Sequence, residues 1–214
     1  MEQKNKQSCF FRKFGSIPRL VRGCVVTEKI DGTNGCIVVE EYWGQSKEEV
    51  PFATYVSGEP VEGAPDFLIY AQSRNQIVTP GKKTDNHGFA GWVWANAQAL
   101  VTALGPGYHY GEWWGQGVQR GYGLTEKRFS LFNTGRWTEE GVQSVSGLPN
   151  LSVVPVLYEG IFRELALMEV TNSLALEGSV AAPGFMDPEG IIVYHQAARQ
   201  LFKYTLDGDG HKGG

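Results

Sequence analysis

Lys29 closes a β-branched run and is followed within two residues by Asp31, Gly32, Thr33, Asn34 and Gly35, in the stretch TEKIDGTNGC. Gly, Asn and Asp are what a turn requires, but a lysine at its mouth is not. Lys29 is therefore either a solvated strand end or an amine kept for nucleophilic chemistry. An ordinary lysine, with a pKa near 10.4, is almost wholly protonated at neutral pH. An amine that attacks must be desolvated or set beside other cations. Charged or aromatic residues recur in five later segments: SRN at 73–75, GEWWG at 111–115, FSLFN at 129–133, PEGIIVYH at 188–195 and LFKYTL at 201–206.

The elements that must position these residues are mostly strands. GCVVTEK (23–29) and GCIVVEEYW (35–43) are β-rich runs on either side of DGTN, a pattern that predicts a hairpin. DFLIYAQSR (66–74), YHYGEWWG (108–115), KRFSLFN (127–133) and LSVVPVLYEG (151–160) predict further strands, the last at an edge because of Pro155. GIIVYH (190–195) and RQLFKYTL (199–206) predict a hairpin across Gln196–Ala198. Helices are expected over 88–104, stopped by Gly105-Pro106-Gly107, and over 162–176. Strands outnumber helices, and the fold class expected is α+β, antiparallel sheets flanked by helices. Alternation along FSLFN puts Ser130 and Phe132 on one face, Phe129 and Leu131 on the other.

The chain has 214 residues, 42% of them hydrophobic and 20% charged, which suits one globular domain. No stretch approaches the roughly 20 apolar residues of a membrane helix, and the N-terminus has no secretory-signal pattern. Cys9, Cys24 and Cys36 lack CxxC spacing and are expected as free thiols in a reducing cytoplasm. With a net charge of −4, a polynucleotide partner must be met by a local patch. Residues 1–22 form a basic N-terminal extension, and Lys4, Lys6, Arg12, Lys13, Arg19 and Arg22 make it the candidate. GxxxxGK[ST], HExxH and GxSxG motifs are absent, and His87, His109, His195 and His211 are scattered.

In this order and spacing the segments resemble the covalent nucleotidyltransferase superfamily of ATP-dependent ligases and capping enzymes, most closely RNA ligases of the phage and RNA-editing type. EKIDGTNG is similar to their KxDGxN nucleophile motif, and the resemblance runs from about Val21 to Leu206. It implies an ATP-grasp-like nucleotidyltransferase domain over 23–206, followed by a flexible tail at 207–214. It implies Lys29 as the nucleophile that becomes lysyl-AMP, with the turn glycines leaving room for the nucleotide. Glu28 and Asn34 would contact the nucleotide or, alternatively, only hydrogen-bond within the turn. Arg74 would grip the nucleotide or a 5′-phosphate, as a guanidinium suits. Glu112 would accept from the ribose, and Phe132 would stack on adenine. Trp113 and Trp114 have no part in this and are expected in the core. Glu189 would help hold Mg²⁺, with Mn²⁺ as an alternative, since Mg²⁺ is usually bound by one or two carboxylates plus phosphates.

Lys203 matches the last motif, where relatives carry KxK. Either Thr205 replaces the second lysine or Leu201 the first; in both registers one cation is missing. The function implied is an ATP-dependent RNA ligase that adenylylates a 5′-phosphate and joins it to a 3′-hydroxyl. Its partners would be RNA ends or a nicked duplex of RNA or RNA/DNA, met by the basic extension and the pocket rim. A monomer is expected in the cytoplasm, including a host cytoplasm if phage-encoded. A DNA nick ligase and a non-catalytic nucleotide- or RNA-binding relative are the alternatives.

Overall fold

The computed structural model describes residues 14–44, 50–58, 64–85 and 87–207. Lys4, Lys6, Cys9, Arg12 and Lys13, and all of the expected tail beyond Asp207, lie outside the described residues. The elements in chain order are β1 (Gly23–Lys29), β2 (Thr33–Tyr42), β3 (Thr54–Val56), β4 (Asp66–Ser73), β5 (Ile77–Val78), α1 (Phe89–Ala95), α2 (Ala97–Leu104), β6 (Gly107–Gly115), β7 (Lys127–Leu131), α3 (Glu139–Ser146), β8 (Leu151–Val153), β9 (Val156–Ile161), α4 (Glu164–Glu177), β10 (Gly190–His195) and β11 (Gln200–Thr205). A smaller sheet runs β11-β10-β1-β9; a larger one runs β3-β4-β2-β6-β7-β8, with β5 on β4. The α+β class is as expected. Every pairing is antiparallel except β7 with β8, which is parallel.

The hairpin expected at 30–34 does not form. β1 and β2 belong to different sheets, and residues 30–32 are a link that crosses from one to the other. A two-residue hairpin turn needs left-handed residues, and none from 30 to 35 has a positive φ. Ile30 instead drives the crossing, buried against Trp114, Tyr122, Val154 and Ala182. Thr33 and Asn34, expected in the turn, are strand residues paired with Trp113 and Glu112.

The run expected as one strand over 151–160 is also divided. β8 edges the larger sheet and β9 the smaller, and the chain crosses between them at Val154–Pro155. Pro155 cannot donate to a ladder, but its carbonyl accepts from the Glu28 N–H at 3.0 Å, so the two crossings lie side by side. The helix expected over 88–104 breaks at Asn96, whose side-chain amide donates to the Trp92 carbonyl at 2.8 Å and competes with the helix. Short β3 and β5 and the Thr138-capped α3 were not anticipated.

One face of the larger sheet, with Ile37, Ile69, Ala71, Trp113, Phe129 and Leu131, packs on Phe89, Val93, Leu100 and Leu104 of α1 and α2. Burying one such ring contributes about 2–3 kcal/mol. Gly35 and Gly111 are cross-strand partners beneath these rings. A Cβ on Gly35 would lie 2.7 Å from Phe89, and one on Gly111 would lie 2.6 Å from Phe129. Gly35 thus makes room for the core, which corrects its expected role in admitting a nucleotide. Trp113 and Trp114 are both buried, as expected. The outer face of the smaller sheet, with Cys24, Val26, Ile191 and Val193, packs on Leu174 of α4. Cys24 and Cys36 are free and buried, and burial pushes the Cys36 thiol up to about 11. Among the described residues, no helix is long and apolar enough to cross a membrane.

Candidate active site

Lys29 is the last residue of β1 and pairs across the ladder with Gly190, which directly follows Glu189. Its ammonium forms an ion pair with the Glu189 carboxylate, and both side chains remain partly exposed. Glu189 is pinned through its backbone. Its carbonyl accepts from the Leu206 N–H at 2.9 Å, and Gly190 has a φ of 152° with no space for a Cβ, which would lie 2.1 Å from the Tyr204 carbonyl. Only glycine suits that position. The PEG sequence is therefore a device that delivers one carboxylate to Lys29.

Strand alternation decides which neighbours join them. Asn34 and Glu112 face each other across β2 and β6. The Asn34 amide donates to Glu112 at 2.7 Å, while its carbonyl oxygen accepts from Arg74. The three side chains are a connected row from the exposed guanidinium to the buried carboxylate. Together with Lys29, the 30–32 link and Thr33 they line a cleft of about 420 Å³ at the seam of the two sheets. Four of the residues expected from the sequence, Lys29, Asn34, Arg74 and Glu112, thus meet in one cleft with Glu189 at its edge.

Burial pushes the Glu112 carboxyl up to about 7, against the lowering effects of the Asn34 hydrogen bond and Lys29; Glu189 and Asp31 add to the rise. A carboxyl raised on folding favours the protonated folded state. Its contribution is fully present below the unfolded value near 4.5 and is lost as pH rises through about 7. Glu112→Gln is therefore expected to match the wild type in stability near pH 4. By pH 8.5 it should exceed the wild type by roughly 2–3 kcal/mol. Urea midpoints of the two proteins across that range measure it; parallel curves would contradict it.

Glu28 is placed elsewhere. Alternation turns it to the α4 side of β1, away from Lys29, and it is 1% exposed. Its carboxylate accepts from Ser179 Oγ at 2.6 Å and from the Val180 and Ala181 N–H groups, both at 2.9 Å. The structure thus gives Glu28 a clasp on the loop after α4 in place of the nucleotide contact expected of it. Glu28→Ala should cost roughly 2–4 kcal/mol by stranding these donors. A shift in the urea midpoint would show it.

Phe129 is in the core and Phe132 is 42% exposed at the end of β7. Phe132 follows β7, its N–H donates to the Tyr110 carbonyl at 3.0 Å, and it lies outside the lining of the cleft. Lys203 pairs with Ile192, which pairs with Thr27, so it shares the face of Lys29, one rung along and two strands over. That is about 12 Å between Cα positions at ordinary strand spacing. Lys203 is exposed and also lies outside the lining of the cleft. Thr205, in line with Gly190 and Lys29, occupies the rung nearer the cleft. A larger apolar cavity, about 610 Å³, lies on the α4 side of β10 and β11. Its histidine, His195, is committed to the Leu20 carbonyl and the Ala198 N–H.

Among the described residues no group of three or more acidic, His or Cys side chains is arranged to hold a divalent cation. Glu189 Oε2 is buried and has no hydrogen bond beyond its ion pair. One such carboxylate, with phosphate oxygens supplying the rest, is the manner in which Mg²⁺ is usually bound, so the site fits.

Sequence reasoning missed Arg120 and Tyr122, on the loop between β6 and β7. Arg120 contacts Asp31, Asp187 and Asp207, and the Tyr122 hydroxyl accepts from the Asp31 N–H at 2.8 Å. The local signal was only a glycine-rich loop, GQGVQRGYG.

A family model for RNA ligase matches residues 22–205. A solved structure of a Naegleria gruberi RNA ligase mutant with AMP and Mn is similar at 16% identity and a TM-score of 0.52, covering 90% of this chain and 53% of that one. A second Naegleria gruberi RNA ligase mutant, with ATP and Mn, is similar at 15% identity and a TM-score of 0.52, covering 87% and 49%. The chain thus spans about half the length of these solved ligases. No curated protein sequence matches significantly.

Proposed function

The chain belongs to the RNA ligase family, and from that premise we propose that it is an ATP-dependent RNA ligase acting through lysyl-AMP on Lys29. The observation that carries the reading is the meeting of Lys29 and Glu189 at the mouth of a cleft lined by Glu112, Asn34 and Arg74. The AMP, ATP and Mn of the similar Naegleria gruberi structures support ATP and a divalent cation, Mg²⁺ or Mn²⁺, as its ligands.

In the first transfer the Lys29 amine attacks the α-phosphorus of ATP, a P–N bond forms and pyrophosphate leaves. The lysine must first lose its proton, and Glu189 is the group in contact with it. In the second, an oxygen of an RNA 5′-phosphate attacks the same phosphorus, the P–N bond breaks and Lys29 is restored. In the third, a 3′-hydroxyl attacks the activated 5′-phosphate and AMP leaves. Glu112 would take the ribose hydroxyls, with Asn34 holding its carboxylate in place. Arg74 would hold phosphate, and Phe132 would cover the adenine. Glu189 would hold the cation, whose chemistry when bound is to neutralise charge on the phosphoryl oxygens. Lys203 would add to that neutralisation from β11, although it is exposed beyond the cleft in this state.

The test is transfer. Protein labelled with α-labelled ATP and stripped of free nucleotide should pass its label to a 5′-phosphorylated RNA strand and then release it on sealing. A panel of nicked duplexes with ribose or deoxyribose at each end reads the preferred junction. Label that never leaves the protein would refute the ligase reading.

A further inference from the structure

We propose that Arg120 is a positioning residue for Lys29, a role that rests on the ligase reading of the cleft. Its guanidinium joins three segments that arrive from different parts of the chain. Nε donates to Asp31 at 3.2 Å, on the link that follows Lys29. Nη1 reaches the Asp187 carbonyl and carboxylate, both at 2.9 Å, just before Glu189. Nη2 pairs with Asp207, beyond the end of β11. Arg120 thus ties the element carrying the nucleophile to the element carrying its acidic partner. The planar fork of arginine spans such an arrangement and a lysine ammonium does not.

Two further observations argue that the arrangement is built and not incidental. The side chains of Arg120 and Asp31 are 19% and 27% exposed, so this pair is shielded more than surface ion pairs, while Asp187 and Asp207 meet the guanidinium from the solvent side. The loop that presents it holds two non-glycine residues at positive φ, Gln119 at 45° and Tyr122 at 53°. Strain of this kind persists where surrounding contacts over-determine it. Those contacts are present: Tyr122 is 3% exposed, packs on Trp114 and Phe185, and accepts the Asp31 N–H. Asp31 is therefore gripped twice, by its carboxylate and by its amide.

Arg120 does not replace the cation missing at Thr205, because its three nitrogens are committed to Asp31, Asp187 and Asp207. Without it, three carboxylates would be left to repel one another on the segments that must stay together. Lys29 would then lose its fixed approach, and a displacement of about 1 Å at a reacting centre can cost roughly a hundredfold in rate.

The experiment compares wild type, Arg120→Met and Arg120→Lys by two readouts. The first is single-turnover lysyl-AMP formation at saturating ATP, which removes differences in affinity. The second is amide hydrogen exchange over residues 29–34. Arg120→Met should slow adenylylation roughly 10–100-fold and raise exchange in that link, with β6 and β10 unchanged; Arg120→Lys should recover part of both. An unchanged rate would overturn the proposal, as would exchange raised throughout both sheets. If the wild type forms no lysyl-AMP, the ligase reading fails. The exchange readout then still decides whether Arg120 holds the link, because unchanged exchange refutes it.

Discussion

Lys29→Arg protein incubated with α-labelled ATP and Mg²⁺ is expected to carry no label after denaturation, a loss of about a thousandfold or more. The arginine keeps the positive charge, so the pair with Glu189 survives and ATP still meets a cation. A guanidinium remains protonated at any working pH and has no amine lone pair to offer phosphorus. Lys29→Ala should be equally inert and in addition leave Glu189 without its partner. The two variants together separate the chemistry of the amine from the electrostatics of the pair. Covalent label on either protein would show that another residue takes up AMP.

Glu189→Gln is expected to lower the rate of lysyl-AMP formation roughly a hundredfold at saturating ATP and to raise the Mg²⁺ concentration needed for half-maximal rate. The amide preserves shape, and the backbone contacts that place residue 189 do not involve the side chain, since the Leu206 N–H meets the carbonyl. What is lost is a charge facing both the Lys29 ammonium and the proposed cation. Adenylylation is measured at several Mg²⁺ and Mn²⁺ concentrations. A rate and metal dependence equal to wild type would remove Glu189 from the site.

Much of this was legible in the sequence because strand signals are local. Runs of β-branched or aromatic residues gave β1, β2, β4, β6, β7, β10 and β11 nearly at their observed limits. The crossings were not legible. A short Gly-Asp-Asn segment and a Pro between β-runs look the same whether the strands rejoin one sheet or part into two. Ile30 and Val154 settle the matter through burial against residues remote in sequence. The motif order located Lys29, Asn34, Arg74, Glu112 and Glu189, which the fold gathers at the cleft. The resemblance implied a nucleotide contact for Glu28, but a strand turns consecutive side chains to opposite faces, and Glu28 meets Ser179, Val180 and Ala181 on the side away from Lys29. Arg120 and Tyr122 left no periodic or motif signal, because their partners lie on three other segments.

The larger sheet is made from one uninterrupted stretch, residues 33–153, whereas the smaller sheet joins β1 to strands that follow Pro155. During synthesis, therefore, Lys29 emerges well before the strands that flank it. The larger sheet has all its strands while β1 still lacks every neighbour, and Glu189 follows only after the whole of that sheet. Among the described strands, pairing β1 with β10 closes the longest loops, the slow kind of step in folding. A growing chain therefore holds every residue that lines the cleft, from Lys29 to Glu112, before Glu189 is made, and the carboxylate that pairs with Lys29 is the last part of the site to arrive.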